Sequence, residues 1–242
     1  MKTEKLEIAE KIYFLKIEDE MWENTTASIR NNVITIKIPL ALNREARFKE
    51  ILKLKSWAKK KIEENPQKFH AEVQREYKNG DVLKIGEEEY SLKIEFKDKR
   101  SSSARLINNT FHLVVGLNLP APLQKKHVSS LLSRCIAQKR LPDLQQKIRQ
   151  LNELHFKQPF NKIFFKNTSS RWGSCSKQGN INISTRLLFA PEHILESVCL
   201  HELAHLIEHN HSDRFWELVE NADPHHKEKR KWLNENGHQF VF

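Results

Sequence analysis

In the first part of the chain, apolar residues alternate with polar ones at the two-residue period of β-strands. Pairs of Asn and Gly residues interrupt these runs and suit tight turns. The predicted strands are 12–17, 25–30 and 33–38 (around Asn31-Asn32), and those that follow Asn79-Gly80, Gly86 and Asn108-Asn109. Between the two groups, apolar residues at helical spacing predict a helix from an Asn43 cap to about residue 65. The pattern predicts mostly antiparallel β-structure with no internal repeat.

From Pro120 onward the apolar positions follow helical spacing instead. The predicted helices are about 120–139, 142–155, 191–209, 212–221 and 223–236. Two short strands, 161–166 and 180–184, flank a compact R-W-G-S-C-S-K-Q-G segment. The predicted fold class is α+β, with an antiparallel β-rich lobe over 25–119 followed by a mainly helical lobe with a small sheet over 120–242. Residues 1–24 are left as an N-terminal extension of unassigned role.

Composition limits the class of protein. The chain has 242 residues, of which 38% are hydrophobic and 30% charged, as expected of a globular protein. No apolar run reaches the roughly 18 residues that a membrane span needs, and the N-terminus lacks the apolar stretch of a signal peptide. A cytoplasmic location is therefore expected. The three cysteines have no C-x-x-C spacing, so neither a disulfide framework nor a thiolate metal site is predicted.

The net charge of +10 makes nucleic acid a possible partner, because a basic surface attracts an anionic polymer. The basic residues are interspersed with acidic ones and do not form one run, which favours an ordinary solvated surface.

The chemistry is concentrated in H-E-L-A-H at 201–205. His201 and His205 are four residues apart and share one helix face, so both imidazoles can reach one metal ion. Glu202 is rotated about 100° from His201, which suits a base that takes a proton from water. The helix around these residues is strongly apolar, and polar side chains embedded there indicate a function. This pattern predicts a zinc site with Glu202 as the catalytic base.

A third protein ligand is expected, because catalytic zinc usually has three. Glu208 and His209 lie too far along a continuous helix, about 12 Å from His201 in the case of His209. His211 follows Asn210, which can adopt the left-handed conformation that ends a helix and returns the chain. His211 is therefore the predicted third ligand. The spacing also fits metzincins, but their glycine is replaced by Glu208 and no methionine follows the site.

Several further segments occur together with this motif: R-W-G-S-C (171–175), G-N-I-N-I (179–183), A-P (190–191), N-H-S-x-x-F-W (210–216) and P-x-x-x-x-x-R-x-W-L (224–233). With these segments the chain resembles the YgjP-like metallopeptidases, and more distantly the SprT, Spartan and WLM zinc proteases, over about 25–238. The resemblance implies a zincin-like catalytic lobe over 120–242 and one zinc ion held by His201, His205 and His211, with Glu202 catalytic. At 225–226 the chain departs from the family, which usually has an acidic or polar residue followed by an aromatic one.

Other residues have open roles. Arg171 can stabilise an oxyanion or anchor a substrate carboxylate, or R-W-G-S-C can simply be a packed turn. Strand 180–184 is predicted as an edge for pairing with extended substrate. Cys175, Phe215 and Trp216 are predicted to be structural, and His225 or His226 is a candidate transition-state donor.

The predicted function is hydrolysis of peptide bonds in a peptide or protein by zinc-activated water. A non-peptide amide is an alternative substrate. A non-enzymatic adaptor that binds nucleic acid or protein on a zincin scaffold is a further alternative, as is a protease for DNA-associated proteins.

Overall fold

The computed structural model describes residues 3–30, 32–64, 66–69, 75–118 and 120–242. The chain forms two compact units, Met1–Val73 and Gln74–Phe242. None of the helices described has the length and apolar character that crossing a membrane requires.

The first unit is a four-stranded sheet covered by one helix. Two antiparallel hairpins form the sheet, in the order β1-β2-β4-β3. The elements are β1 (Thr3–Ile8), β2 (Lys11–Glu20), β3 (Thr26–Arg30), β4 (Val33–Pro39) and α1 (Arg44–Glu64). Alternate residues of β4 are fully buried and pack with Ala58 and Ile62 of α1. The Asn43 side chain accepts a hydrogen bond from the Ala46 N–H (2.9 Å), as predicted for a helix cap. Asn31 lies outside the described residues.

The second unit has a similar sheet, a long helix and a C-terminal lobe. The sheet consists of β5 (Val82–Ile85), β6 (Glu88–Lys97), β7 (Ser103–Ile107) and β8 (Thr110–Gly116), in the order β5-β6-β8-β7. The helix α2 (Ala121–His155) leads into the lobe. The lobe contains β9 (Ile163–Lys166), β10 (Gly173–Cys175), β11 (Ile181–Ser184), α3 (Glu192–Ala204), α4 (Asp213–Ala222) and α5 (His226–Asn236). The α+β class is confirmed.

The prediction of antiparallel sheets was only partly right, because β2 pairs with β4 in parallel and β6 pairs with β8 in parallel. Burial explains this arrangement. Every second residue of β4 and of β8 is buried, whereas β3 and β7 alternate only between exposed and half-buried positions. The more apolar strand of each second hairpin therefore takes the centre of the sheet, and the more polar strand takes the edge.

An internal repeat, not evident from the sequence pattern alone, relates the two sheets. Strands β2, β3 and β4 begin at residues 11, 26 and 33, and β6, β7 and β8 begin at 88, 103 and 110, a constant offset of 77. Helices α1 and α2 begin with the same offset, at 44 and 121. The sequence Y-x-L-K-I-E occurs at 13–18 and again at 90–95, and Asn32 and Asn109 both have positive φ angles. The chain therefore contains two copies of one ββββα platform.

The division predicted near residue 120 does not coincide with the division between compact units, which follows Val73. Helix α2 accounts for the difference. Its first half buries Leu132 and Ile136 against the β5–β8 sheet, and its second half buries Leu144 and Ile148 in the C-terminal lobe. The two helices predicted on either side of residue 140 are one helix that includes Pro142. Residues 3–20, predicted to be part of an extension, supply two strands of the first sheet.

Phe111→Ala is expected to destabilise the second unit strongly. The Phe111 side chain is fully buried in β8 and lies 5.2 Å from the Tyr90 ring, between centroids. Truncation leaves a cavity and should lower the free energy of unfolding by about 3–5 kcal/mol. Phe96→Ala is the control, because Phe96 is 51% exposed. Urea unfolding followed by circular dichroism measures both changes, and equal effects would contradict the packing described.

Candidate metal centre

Helix α3 carries the first two histidines of the site and ends sooner than predicted. It spans Glu192–Ala204, and His205 is its C-terminal cap. Tight turns follow, with Ile207 and Glu208 N–H groups both bonded to the Ala204 carbonyl (3.1 and 3.0 Å). The left-handed conformation predicted for Asn210 was wrong, since its φ angle is not positive. The chain reverses because the helix ends at Ala204, and no left-handed residue is needed.

This reversal brings His211 next to the two helical histidines. The Nε2 atoms of His211 and His201 are 3.1 Å apart. One ring nitrogen from each of His201, His205 and His211 lies within 4.8 Å of the other two. His209 and Glu208 are not part of this group. The three side chains fit zinc, because imidazole nitrogens are its usual neutral ligands and these three lie close enough together to share one ion.

The protonation of His201 and the hydrogen bond made by His205 also fit a metal site. Burial, together with the neighbouring His205 and His211, lowers the pKa of His201 to about 3, which keeps its imidazole neutral. His205 Nδ1 hydrogen-bonds the Glu208 carbonyl oxygen (3.0 Å), which leaves its Nε2 available as a ligand. A backbone carbonyl that orients a ligating histidine in this way is typical of zinc sites.

The Phe215 ring packs against all three histidine rings. Its ring is fully buried and lies 4.9, 4.5 and 4.7 Å from the rings of His201, His205 and His211, between centroids. The Ser212 side chain caps α4 by accepting a hydrogen bond from the Phe215 N–H (3.4 Å). The structural role predicted for Phe215 therefore agrees with its position. Trp216 is different, because it is only half-buried and lines a cavity that lies next to the histidines.

Glu202 is buried in the same cavity and is held against β10. A Cβ atom at Gly173 would lie 2.5 Å from the Glu202 Oε1 atom, so only glycine allows this contact. The Cys175 backbone N–H donates to the carboxylate, and Arg171 acts on it electrostatically. Glu202 Oε2 is buried and has no hydrogen-bond partner among the described residues. Burial raises the pKa of this carboxyl to about 8, although Arg171 and the Cys175 N–H oppose the rise.

The R-W-G-S-C segment is thus both a packed turn and one wall of the site. The Arg186 guanidinium lies over the Trp172 ring, 4.2 Å from its centroid. The same ring packs so closely on Gly237 that a Cβ atom there would lie 2.3 Å from the ring. Burial raises the pKa of the Cys175 thiol to about 11, which is the direction expected of a structural cysteine and not of a reactive one.

The strand predicted as a substrate edge is not an edge. Strand β11 lies between β10 and β9, antiparallel to the first and parallel to the second. Its residues Ile181 and Ile183 are fully buried, which favours the central position. The edge on the side of the site belongs to β10, which contacts α3.

A cavity of about 560 Å³ opens beside the histidines and Glu202. Helix α5 forms its far wall through side chains one helical turn apart, among them His226 and Arg230. His226 is buried, its Nε2 pairs with Glu220 Oε2 (2.8 Å), and its ring stacks on Trp216 (5.5 Å). His225 is exposed, so of the two histidines predicted as donors only His226 lines the cavity.

Arg230 and its neighbours on α5 were not predicted as site residues. The sequence does indicate that these residues belong together, because the spacing of His226, Arg230, Leu233 and Asn234 places them on one helix face. That spacing alone could not show which element this face contacts, since the contact of α5 with α3 is formed between residues far apart in the sequence.

Comparison with known proteins gave two kinds of match and one negative result. A search of curated proteins gave no significant match. Among solved structures, the metallopeptidase zymogen abylysin of Pyrococcus abyssi is 23% identical, with a TM-score of 0.35, over 38% of this chain and 93% of its own. The zymogen jannalysin of Methanocaldococcus jannaschii is 20% identical, with a TM-score of 0.32, over 37% of this chain and 91% of its own.

The family comparison covers most of the chain. The model of the YgjP-like, metallopeptidase domain matches residues 23–236, close to the range of 25–238 predicted from the motifs. This range includes the three clustered histidines, Glu202 and the turn that holds it. The chain belongs to the YgjP-like metallopeptidase family.

Proposed function

We propose that this metallopeptidase binds one zinc ion through His201, His205 and His211 and uses Glu202 as its general base. The observation that carries the proposal is a cluster of three histidine nitrogens beside a cavity that His201, His211 and Glu202 line. The buried Glu202 carboxylate has one oxygen without a hydrogen-bond partner among the described residues. A buried carboxylate oxygen without a partner costs free energy unless a ligand, water or ion completes it.

Bound zinc would supply Lewis acidity, lowering the pKa of a water molecule and polarising the scissile carbonyl. Glu202 accepts the proton from the attacking water and then gives it to the leaving amine. Burial makes its carboxylate a stronger base than an exposed one, while a nearby cation would keep it ionised. The Cys175 N–H fixes the direction of the carboxylate, and Gly173 provides the space it occupies.

The proposed substrate is a peptide or protein in extended conformation. Strand β10 is at the edge of its sheet and borders both α3 and the cavity, so it replaces 180–184 as the strand that would pair with substrate.

Nucleic-acid binding and a cytoplasmic location stay predictions. The non-enzymatic alternative is disfavoured because the three histidines cluster together and two of them share a cavity with Glu202.

His211→Ala is expected to abolish stoichiometric zinc binding, because it removes one of three ligands. His209→Ala is the matched control, since His209 lies outside the cluster. Zinc per chain, measured by elemental analysis after gel filtration, should fall from one to near zero only in the first variant. Full zinc content in His211→Ala would contradict the ligand assignment.

Glu202→Gln is expected to keep one zinc per chain and to lower the cleavage rate of casein or a peptide by about 10²–10⁴. The amide has the same size but cannot accept the proton. Glu217→Gln, which changes an exposed glutamate of α4, should match the wild type. Wild-type turnover in Glu202→Gln would place the base elsewhere, and loss of zinc would make Glu202 a ligand. A chelator should abolish all activity.

Gly173→Ala is expected to reduce turnover about a hundredfold without loss of zinc, because the new methyl group must displace the Glu202 carboxylate. Ser170→Ala, at an exposed position of the same turn, is the control. Zinc analysis and peptide cleavage together measure the effect. Unchanged turnover in Gly173→Ala would show that Glu202 need not stay in the position described.

A further inference from the structure

The cavity beside the histidines carries an excess of positive charge. Three cationic side chains line it, those of Arg171, Lys229 and Arg230, and Glu202 is the only carboxylate among the described lining residues. Lys229 is already neutralised, since it donates to the buried Asp223 carboxylate (2.6 Å). The excess is therefore due to the two arginines.

Neither arginine has a carboxylate partner in a salt bridge among the residues described. Arg171 acts on Glu202 only through longer-range electrostatics. Arg230 lies over the Trp216 ring, with its guanidinium carbon 5.3 Å from the centroid. The Trp216 ring in turn stacks on His211 at 5.6 Å. Trp216 therefore supports the Arg230 guanidinium beside the histidine cluster.

Two guanidinium groups beside a bound zinc ion would repel it and each other, which would cost free energy as long as no anionic group lies between them. An anionic group of the substrate would offset this cost. A guanidinium group is well suited to binding such an anion, because its planar N–H donors can form paired hydrogen bonds with the two oxygens of a carboxylate. The positive field would also attract such a substrate during encounter.

We infer that this site selects substrates that carry a carboxylate close to the scissile bond, with Arg230 as its main contact and Arg171 as a second one. The inference rests on the proposed peptidase function and adds the chemical class of its substrate. A carboxylate can come from two sources in a peptide, the free C-terminus or an Asp or Glu side chain. The two guanidinium groups recognise the same chemistry in either case.

The probe is a synthetic set of N-acetylated eight-residue peptides made in pairs. One kind of pair differs in a free or amidated C-terminus, and the other in Glu or Gln at each internal position. Cleavage by the zinc-loaded full chain is followed by mass spectrometry. Binding of the same peptides to the zinc-loaded Glu202→Gln variant is measured by calorimetry, which does not require turnover.

Carboxylate members should be cleaved and bound about tenfold or more better than their neutral partners. Arg230→Gln should remove most of this preference, and Arg171→Gln part of it. Lys231→Gln is the matched control, because it removes one positive charge from the neighbouring position of α5, outside the cavity lining. Preference for the free C-terminus or for internal Glu identifies the source of the carboxylate.

The two proposals can fail separately. Arg230-dependent binding of carboxylate peptides without cleavage would support the carboxylate site and reject the peptidase function. Cleavage that depends on Glu202 but is equal for both members of every pair would support the peptidase and overturn the carboxylate site. A preference that persists equally in Arg230→Gln and Arg171→Gln would also overturn it.

Discussion

The packing of one aromatic ring determines the geometry of the site. Phe215 lies within 5 Å of all three histidine rings, measured between centroids, although the histidines come from a helix and from the loop after it. Its position depends on the Ser212 cap at the start of α4. The short turn between Ala204 and Ser212, the return of His211 and the direction of α4 are therefore connected. A different length of this turn would separate the ring from the histidines that it supports.

The sequence predicted which side chains cluster at the site better than it predicted their surroundings. The spacing of His201, Glu202 and His205 implies one helix face whatever the tertiary fold, and the need for a third ligand pointed to His211. The contribution of Asn210 was misjudged, because a helix can end through tight right-handed turns as well as through a left-handed residue. Arg230 was not identified, because its position depends on which helix face packs against α3.

The same distinction applies to the fold. Strand positions followed the alternation of apolar residues closely, since that alternation is local. The order of the strands in the sheet did not follow from this alternation, because the choice between β3 and β4 as a central strand depends on comparing the burial of whole strands. The repeat was missed for a related reason. Most corresponding positions of the two platforms keep only their apolar or polar character, so the relation appears once strand order, register and turn conformation are compared.

Helix α2 gives the second unit a mechanical property. It has 35 residues and would be about 52 Å long as an ideal helix, with one end packed on the β5–β8 sheet and the other in the C-terminal lobe. Pro142 lacks the N–H that would bond to the residue 138 carbonyl, so the hydrogen-bond ladder is interrupted at this point within the helix. Bending of α2 would therefore concentrate at Pro142, between the core beneath the β5–β8 sheet and the core that includes α3.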